Sequence, residues 1–303
     1  GGAESGNGAE TKGHVAGVDE AEYAKDAGSH WYVASYPSYE PYRIGNGPGI
    51  NVVATNPADA TAEVLANIQL DSEWYGVSEM YLVEGEQAAS HVAAIQNRWG
   101  NVYPIMPGIG FPEIDLPVAI DVMPMPAIEP FFGDVYYPHP VNSEVRVQMF
   151  DVTNAATPQA DWDITVDGSL VDSRKVGNVL YLVTRFDPWL QNLAFETAND
   201  QTRTENEALL SATSAVDLMP TYTIGDGESQ PLTSDCYVQA DIESFHGYAS
   251  LVHITAIDLE SKAVVASSCL NSSVESLSMT TESLYLTATT WGENYNSRQN
   301  TVI

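Results

Sequence analysis

The chain has 303 residues, of which 44% are hydrophobic and 10% aromatic, enough to bury a substantial core in one large domain or two ordinary ones. Its formal net charge is −30, because 41 acidic residues face only 11 lysines and arginines. Such a charge repels nucleic acid and anionic membrane surfaces, so we expect neither as a partner. Cationic partners, Ca²⁺ and neutral sugars stay open, and solubility in a salty or extracellular medium is the plainest use of the charge.

The first segment, 1-GGAESGNGAETKG-13, is rich in glycine, serine and glutamate, which predicts a flexible lead. This composition suits a tether that remains after a signal peptide or a lipoprotein anchor has been removed. No run of about 18 apolar residues occurs, so we expect no membrane-spanning helix. The lead therefore favours a secreted protein, extracellular or periplasmic. A lipid anchor that is present before processing is compatible with this expectation.

The remainder, 14–303, reads as one domain built from a repeated hairpin. Each copy has a short strand, a polar turn and a strand with an aromatic residue, and Tyr32, Tyr181 and Tyr285 occupy matching places. We expect His91 at the corresponding place of the second copy. The four copies are 21-AEYAKDAGSHWYVASY-36, 79-EMYLVEGEQAASHVAAIQ-96, 170-LVDSRKVGNVLYLVTRF-186 and 275-ESLSMTTESLYLTATT-290.

A second strand pair follows each of the first three hairpins, as in 144-EVRVQMFDV-152 with 160-ADWDITVD-167. Four antiparallel strands in series are typical of β-propeller blades, so the sequence predicts an all-β, propeller-type fold of about three and a half blades. A β-sandwich with coincidental similarity between the segments is the alternative. The predicted blades are 21–70, 79–167, 170–270 and an incomplete 275–303.

Long insertions at 97–143 and 187–246 interrupt the second and third units, each between its two hairpins. These links leave the blades on one face, so we expect the ligand-binding residues there. More than half of the 17 prolines lie in 103–140, which predicts an extended segment whose apolar residues cover a sheet. The chain stops where the next outer strand is due. Either it is a fragment of a longer protein, or the N-terminal lead, a partner chain or both complete the sheet. We favour the fragment and expect an exposed edge that can pair between molecules.

The two cysteines, Cys236 and Cys269, lie in segments that both resemble strands. A disulfide between them would fit an oxidising compartment and contribute about 3 to 4 kcal/mol by the loop-entropy estimate. Two free buried thiols are the alternative.

Three segments of the chain resemble the secreted bacterial and archaeal proteins described as beta-propeller-domain proteins. They are 17-GVDEAEYAKDAGSHWYV-33, 169-SLVDSRKVGNVLYLVT-184 and 274-VESLSMTTESLYLTA-288. The opening segment is the most specific, although Ala27 separates Asp26 from Gly28 where the family usually continues with glycine. The resemblance implies a secreted or surface-attached propeller and no particular reaction.

The opening segment also holds the densest acidic cluster of the chain, Asp19, Glu20, Glu22 and Asp26. Two such carboxylates could serve as acid and base in glycoside cleavage, and several could bind Ca²⁺. Neighbouring side chains of a strand point to opposite faces, however, so these carboxylates need not converge. We favour anchoring of the first blade through carboxylates that accept backbone N–H groups, with catalysis and Ca²⁺ binding as alternatives.

Asp172 and Arg174 fall in a predicted inner strand, where a buried pair would fix the strand register or, facing the channel, receive an anionic ligand. Trp74 and Tyr75, in the link 71–79, and Trp291 near the chain end lie on the elaborated face and are candidates for sugar stacking. Packing between blades is the commoner use of such rings.

The sequence therefore favours a binding or scaffold module of the cell envelope, for an unknown protein or carbohydrate ligand, over an enzyme. A carbohydrate-active hydrolase or lyase that uses carboxylates at the channel mouth is the alternative, with Asp19 and Glu20 as its first candidates. The six histidines lack zinc-binding spacing, and no phosphate-binding glycine loop or serine nucleophile elbow occurs. We expect no cofactor, and a structural Ca²⁺ is the weaker alternative.

Overall fold

The computed structural model describes residues 15–35, 49–71, 73–74, 76–85, 89–98, 143–188, 190, 193, 200–238, 250–272, 274, 276–291 and 298–302. The expected lead 1–13, Tyr75 and most of the insertion 97–143 lie outside them, as does the side chain of Trp291.

The described chain forms eighteen strands, one α-helix and one 3-10 turn, Ala215–Leu218. The elements in chain order are β1 (Asp19–Glu20), β2 (Ala24–Asp26), β3 (His30–Ser35), β4 (Gly49–Asn56), β5 (Thr61–Gln69), β6 (Val77–Glu84), β7 (Ala89–Arg98), β8 (Glu144–Asp151), β9 (Gln159–Asp167), β10 (Ser169–Val176), β11 (Val179–Phe186), α1 (Asp200–Ala212), β12 (Thr221–Ile224), β13 (Gln230–Pro231), β14 (Leu251–Asp258), β15 (Ala263–Leu270), β16 (Ser276–Met279), β17 (Leu284–Trp291) and β18 (Arg298–Val302).

The strands form four antiparallel sheets that follow one another along the chain, and we call them blades 1 to 4. Blade 1 is β2–β5, blade 2 is β6–β9, and blade 3 is β10, β11, β14 and β15. Blade 4 has three described strands, because β18 pairs with β17. The sequence predicts no strand at β18. The segment 298-RQNTV-302 lacks alternating apolar residues, which explains why it carries no strand signal. The expectation of an all-β, propeller-type fold is confirmed.

Three hydrophobic cores lie between successive blades. Tyr32 and Ile50 of blade 1 pack with Met80 and Phe150 of blade 2. The other face of blade 2 packs on blade 3, and the other face of blade 3 packs on blade 4. Blades 2 and 3 are therefore each covered by another blade on both faces. In a sandwich of two sheets, each sheet is covered on one face only.

One position on the second strand of each blade faces away from the preceding blade and carries an aromatic ring in three of the four sheets. The residues at this position are Tyr32, Tyr181, Ala93 and Tyr285, opposite Lys25, Arg174, Tyr81 and Ser278. In blade 2 the ring comes from the inner strand, as Tyr81, and the opposite residue is an alanine. His91 lies two residues earlier, so the expectation that it takes this place is wrong.

The second insertion crosses the outer edges of two blades. Strands β12 and β13 extend blade 2 beyond β9, and Tyr237 then pairs with Leu270 of β15 in blade 3. Leu232 enters the core between the same two blades. We call residues 220–238 the strap, because they join the two outer edges.

The helix α1 precedes the strap and buries none of its residues. No helix in the described ranges is long and apolar enough to cross a membrane.

Candidate functional site at the inner edges of the blades

Charged side chains meet where the first strands of blades 1, 2 and 3 approach one another. Strand β1 adds to the inner edge of blade 3, with Asp19 opposite Lys175 and Glu20 opposite Arg174. Three of the 11 basic residues of the chain lie here. We call the group the axial cluster, and it comprises Asp19, Glu20, Glu22, Lys25, Glu79, Tyr81, Asp172, Ser173, Arg174 and Lys175.

Lys25 is the centre of the blade 1 side of the cluster and is only 6% exposed. Its Nζ donates to Asp19 Oδ1 at 2.7 Å and to the backbone oxygen of Glu20 at 2.6 Å. It also lies 3.5 Å from Glu22 Oε2 and 5.3 Å from the centre of the Tyr81 ring. The ammonium therefore replaces its lost hydration with acceptors and an aromatic face.

The blade 3 side holds two further cations, each bound to a carboxylate. Lys175 Nζ lies 3.5 Å from Asp19 Oδ2 and donates to the backbone oxygen of Gly177. Arg174 forms an ion pair with Asp172, whose carboxylate also accepts from the backbone N–H of Ser173. Asp19 thus joins cations of two blades through ion pairs.

A chain of hydroxyl contacts links blade 2 to blade 3 beside these ion pairs. The Tyr81 hydroxyl lies 2.7 Å from Ser173 Oγ, and both residues are fully buried. Ser173 Oγ donates to Glu79 Oε2. Glu79 therefore lies in this network without a direct ion pair among the described residues.

Burial raises the pKa of Glu79 to about 7, and the charge of Asp172 adds to this, while the Ser173 hydrogen bond and Arg174 oppose it. Burial likewise raises the pKa of the Tyr81 hydroxyl, so it stays protonated. A carboxyl group with a pKa near neutrality can donate or accept a proton. Glu79 therefore has the protonation behaviour expected of a general acid or base.

The structure places the predicted site residues in different surroundings. Asp19, Glu20, Asp172 and Arg174 come together in the axial cluster. Asp26 does not point there, since its Oδ1 accepts from Gly28 N at 2.9 Å and stabilises the β2–β3 turn. Within the described residues no group of three or more metal-ligating side chains occurs, and Lys25 lies between Asp19 and Glu22.

Trp74 lies apart from the cluster and is 6% exposed. The guanidinium groups of Arg98 and Arg146 lie 4.9 and 5.8 Å from its ring centre, and these arginines pair with Glu144 and Asp163. A sugar could stack on this ring only after an arginine had moved.

The two cysteines form the Cys236–Cys269 disulfide, so the alternative of two free thiols does not hold in this structure. Cys269 is fully buried in β15. The bond fastens the strap to the outer strand of blade 3.

Sequence reasoning missed Lys25, Glu79, Tyr81 and Lys175 as members of the cluster. Lys25 and Lys175 are rare cations within the motif segments, which is a usable signal in so acidic a chain. Glu79 and Tyr81 lie two apart on a strand and share a face, but nothing local shows that this face meets Ser173.

A serine, a histidine and an aspartate also meet on the turn side of blade 2. Ser90 Oγ lies 3.0 Å from His91 Nδ1, and His91 Nε2 lies 2.9 Å from Asp161 Oδ2, which also binds Lys262 of blade 3. The same serine–histidine contact occurs at Ser29 and His30 of blade 1. We therefore read it as a feature of the repeated hairpin and not as a catalytic triad.

Comparison with known proteins gives one positive finding. A family model described as "Beta propeller domain" matches residues 9–303. No curated protein and no solved structure matches the chain significantly. The family model covers nearly the whole chain and agrees with its four antiparallel sheets. The chain therefore belongs to the Beta propeller domain family.

Proposed function

We propose that this protein is a secreted or cell-envelope β-propeller that serves as a binding or scaffold module, and that it binds through the face that bears the long insertions. The observation that carries the proposal is the state of the axial cluster. Asp19 and Asp172 are bound to cations, and Glu79 accepts from Ser173. The cluster is therefore a support that joins blades, and its carboxylates are not free for a substrate.

The insertion between β11 and β14 contains the residues that we propose for ligand binding. It is fixed to blade 2 through β12 and to blade 3 through Cys236, and between β11 and the strap it carries α1. Leu210 on the helix and Val216 just after it are 51% and 49% exposed. Exposed apolar side chains on a segment with rigid anchors suit contact with a ligand.

The binding test uses the full chain on an array of neutral polysaccharides and on immobilised poly-lysine, a cationic probe matched to the net charge of −30. The Leu210→Ser/Val216→Ser variant should weaken capture by about tenfold. The matched control is Val265→Ser, since Val265 is 54% exposed on the outer strand of blade 3. Equal capture by all three proteins, or capture of neither probe, would contradict the proposed binding face.

The proposed compartment rests on the disulfide, because such bonds persist in oxidising surroundings. The chain has only two cysteines, and both are in the bond. When intact host cells are treated with a maleimide, the cysteines of this protein should therefore react only after the disulfide has been reduced. Labelling without reduction would argue against an exported protein.

A carbohydrate-active hydrolase or lyase is the second candidate, and Glu79 is the observation that favours it. Its pKa of about 7 suits a general acid, and Asp172 is close enough to influence it. Release of reducing ends from the polysaccharides, abolished by Glu79→Gln, would establish this activity and displace the binding-only proposal. Capture without release, unchanged in Glu79→Gln, is the outcome that we expect.

A further inference from the structure

Unpartnered polar atoms are concentrated on one face of blade 3. Among the described residues, seven buried side-chain nitrogen and oxygen atoms lack a hydrogen-bond partner, and five of them belong to neighbouring residues of β11, β14 and β15. We call these residues the polar seam patch, and they are Thr184, His253, Thr255 and Ser267.

The strand register shows that the patch is contiguous. His253 is opposite Thr184 on one side and Cys269 on the other, and Thr255 is opposite Ser267. Cross-strand partners share a face of the sheet, as do residues two apart on one strand. The four side chains therefore point the same way, as do Leu182 of β11 and Ile257 of β14.

That face of blade 3 is the one that packs on blade 2. Leu182 and Ile257 belong to the core shared with Val147 and Ile164 of blade 2, which offers an apolar surface. His253, Thr184 and Thr255 are 0% exposed, so bulk water does not reach them. Neither nitrogen of the His253 ring has a partner among the described residues.

Buried polar groups in folded proteins are nearly always hydrogen-bonded, and an unmade bond costs about 1 to 3 kcal/mol. One isolated exception is ordinary, but four adjacent side chains that all lack partners imply that something else supplies the bonds. A bound molecule that reaches several of these groups at once is the simplest source.

The chemistry of the patch restricts what it can bind. Three hydroxyl groups both donate and accept, and burial lowers the pKa of His253 to about 4, so its ring is neutral and offers one donor and one acceptor. The patch contains no charge that would pair with an ion. A neutral molecule with hydroxyl groups satisfies such a set.

We propose that the polar seam patch is a buried binding site, between blades 2 and 3, for a small neutral guest that bears hydroxyl groups. Ordered water molecules and a small polyol share this chemistry. The patch shares no residue with the axial cluster, and the proposal does not depend on the function proposed above.

The first test is a crystal structure of the full chain at a resolution that shows ordered water. Density for non-protein atoms should lie within hydrogen-bond distance of at least two members of the patch. A dry contact with blade 2, or direct hydrogen bonds from the patch to protein atoms, would overturn the proposal. Native mass spectrometry separates the two sources, because a polyol adds a discrete mass and water does not; either result supports the site.

The second test uses the sign of a stability change. Thr255→Val removes a hydroxyl group and keeps the shape of the side chain. If a guest is bound, the variant breaks a hydrogen bond and the melting midpoint falls by about 2 °C. If the hydroxyl has no partner, a methyl group in its place raises the midpoint, and this result would overturn the proposal. Thr184→Val gives the same two outcomes should Thr255→Val fail to fold.

Two control variants calibrate the sign. Thr221 Oγ1 donates to Asp167 Oδ2 at 2.7 Å, so Thr221→Val shows the fall expected for a satisfied hydroxyl. Ser35 Oγ is a buried, isolated hydroxyl without a partner among the described residues, so Ser35→Ala should cause no fall. The patch variants should behave like the first control, and behaviour like the second would contradict a bound guest.

Discussion

The interface between blades 2 and 3 has two polar regions, and they differ in whether their buried polar groups have hydrogen-bond partners. At its inner edge, Glu79, Tyr81 and Ser173 form a chain of hydrogen bonds beside ion pairs. In the polar seam patch, the side chains have no hydrogen-bond partner among the described residues. A hydrophobic core shared by the two blades also lines this interface.

The difference shows where this chain places its few cations. Buried carboxylates need charges of opposite sign, and three of the 11 basic residues neutralise them at the inner edges. The seam patch contains only neutral groups, so it needs hydrogen bonds and no counter-charge. Substitutions at the inner edge should therefore cost more than substitutions in the patch.

Lys25→Met should produce the largest loss. It leaves Asp19 with Lys175 alone at the cluster, 3.5 Å away, and removes the contact to Glu22. Removal of one partner from a buried ion pair costs about 3 to 5 kcal/mol of unfolding free energy, which urea denaturation measures. Arg203→Met is the matched control, because Arg203 is 61% exposed and its pair with Asp200 should contribute almost nothing. Similar losses in both variants would show that Lys25 has no special role.

Cys236→Ser should rank second, because it releases the strap from blade 3. The bond closes a loop with a sequence separation of 33. Its loss should lower the unfolding free energy by about 3 to 4 kcal/mol in the chain-entropy model. Wild-type protein in a reducing agent provides the matched comparison and should lose the same amount. If reduction destabilised the serine variant as well, the effect would not come from the disulfide.

Much of the fold was predictable because the repeat carries its own signal. Period-2 alternation and polar turns identified the strands of blades 1 to 3, such as 144–151 and 179–186. The strap strand at 221–224 was not identified, because its pairing with β9 depends on a contact distant in sequence. Strand β1 was missed for a related reason, since two residues acquire strand geometry only by pairing with β10.

The site was predictable only in part. Asp19, Asp172 and Arg174 were selected from the sequence, and the structure brings them together. Glu79 escaped notice because its raised pKa comes from burial against blade 3, a property of the assembled interface. His253 looked like one of six unremarkable histidines, and only its buried position distinguishes it.

The stability contributions of the two polar regions should respond to pH with opposite signs. His253 has an ordinary pKa of 6.5 and a folded pKa of about 4, so its contribution is present above pH 6.5 and is lost as the pH falls towards 4. Glu79 has an ordinary pKa of 4.5 and a folded pKa of about 7, so its contribution is present below pH 4.5 and is lost as the pH rises towards 7. The slopes oppose each other between pH 4.5 and 6.5.

Single variants should separate these slopes in denaturant titrations between pH 4.5 and 6.5. Glu79→Gln should leave a protein that becomes less stable as the pH falls, and His253→Gln one that becomes less stable as the pH rises. Three aspartates with lowered pKa values, Asp151, Asp161 and Asp258, lose their contributions only below this range, near their ordinary value of 3.8. Parallel profiles for the two variants would show that the regions do not titrate as assigned.

Calcium should have the smallest effect, because the protein supplies its own cation to the acidic cluster. The Lys25 ammonium group lies 2.7 Å from Asp19 Oδ1 and 3.5 Å from Glu22 Oε2. A divalent ion would have to displace this buried ammonium, so the wild-type melting midpoint should change by less than about 1 °C in EDTA or in millimolar Ca²⁺. Lys25→Met should allow Ca²⁺ to bind, because it removes the ammonium group that neutralises Asp19 and Glu22. Its midpoint should rise on addition of Ca²⁺, and a Ca²⁺ response in the wild type but not in the variant would mean that the ion binds elsewhere.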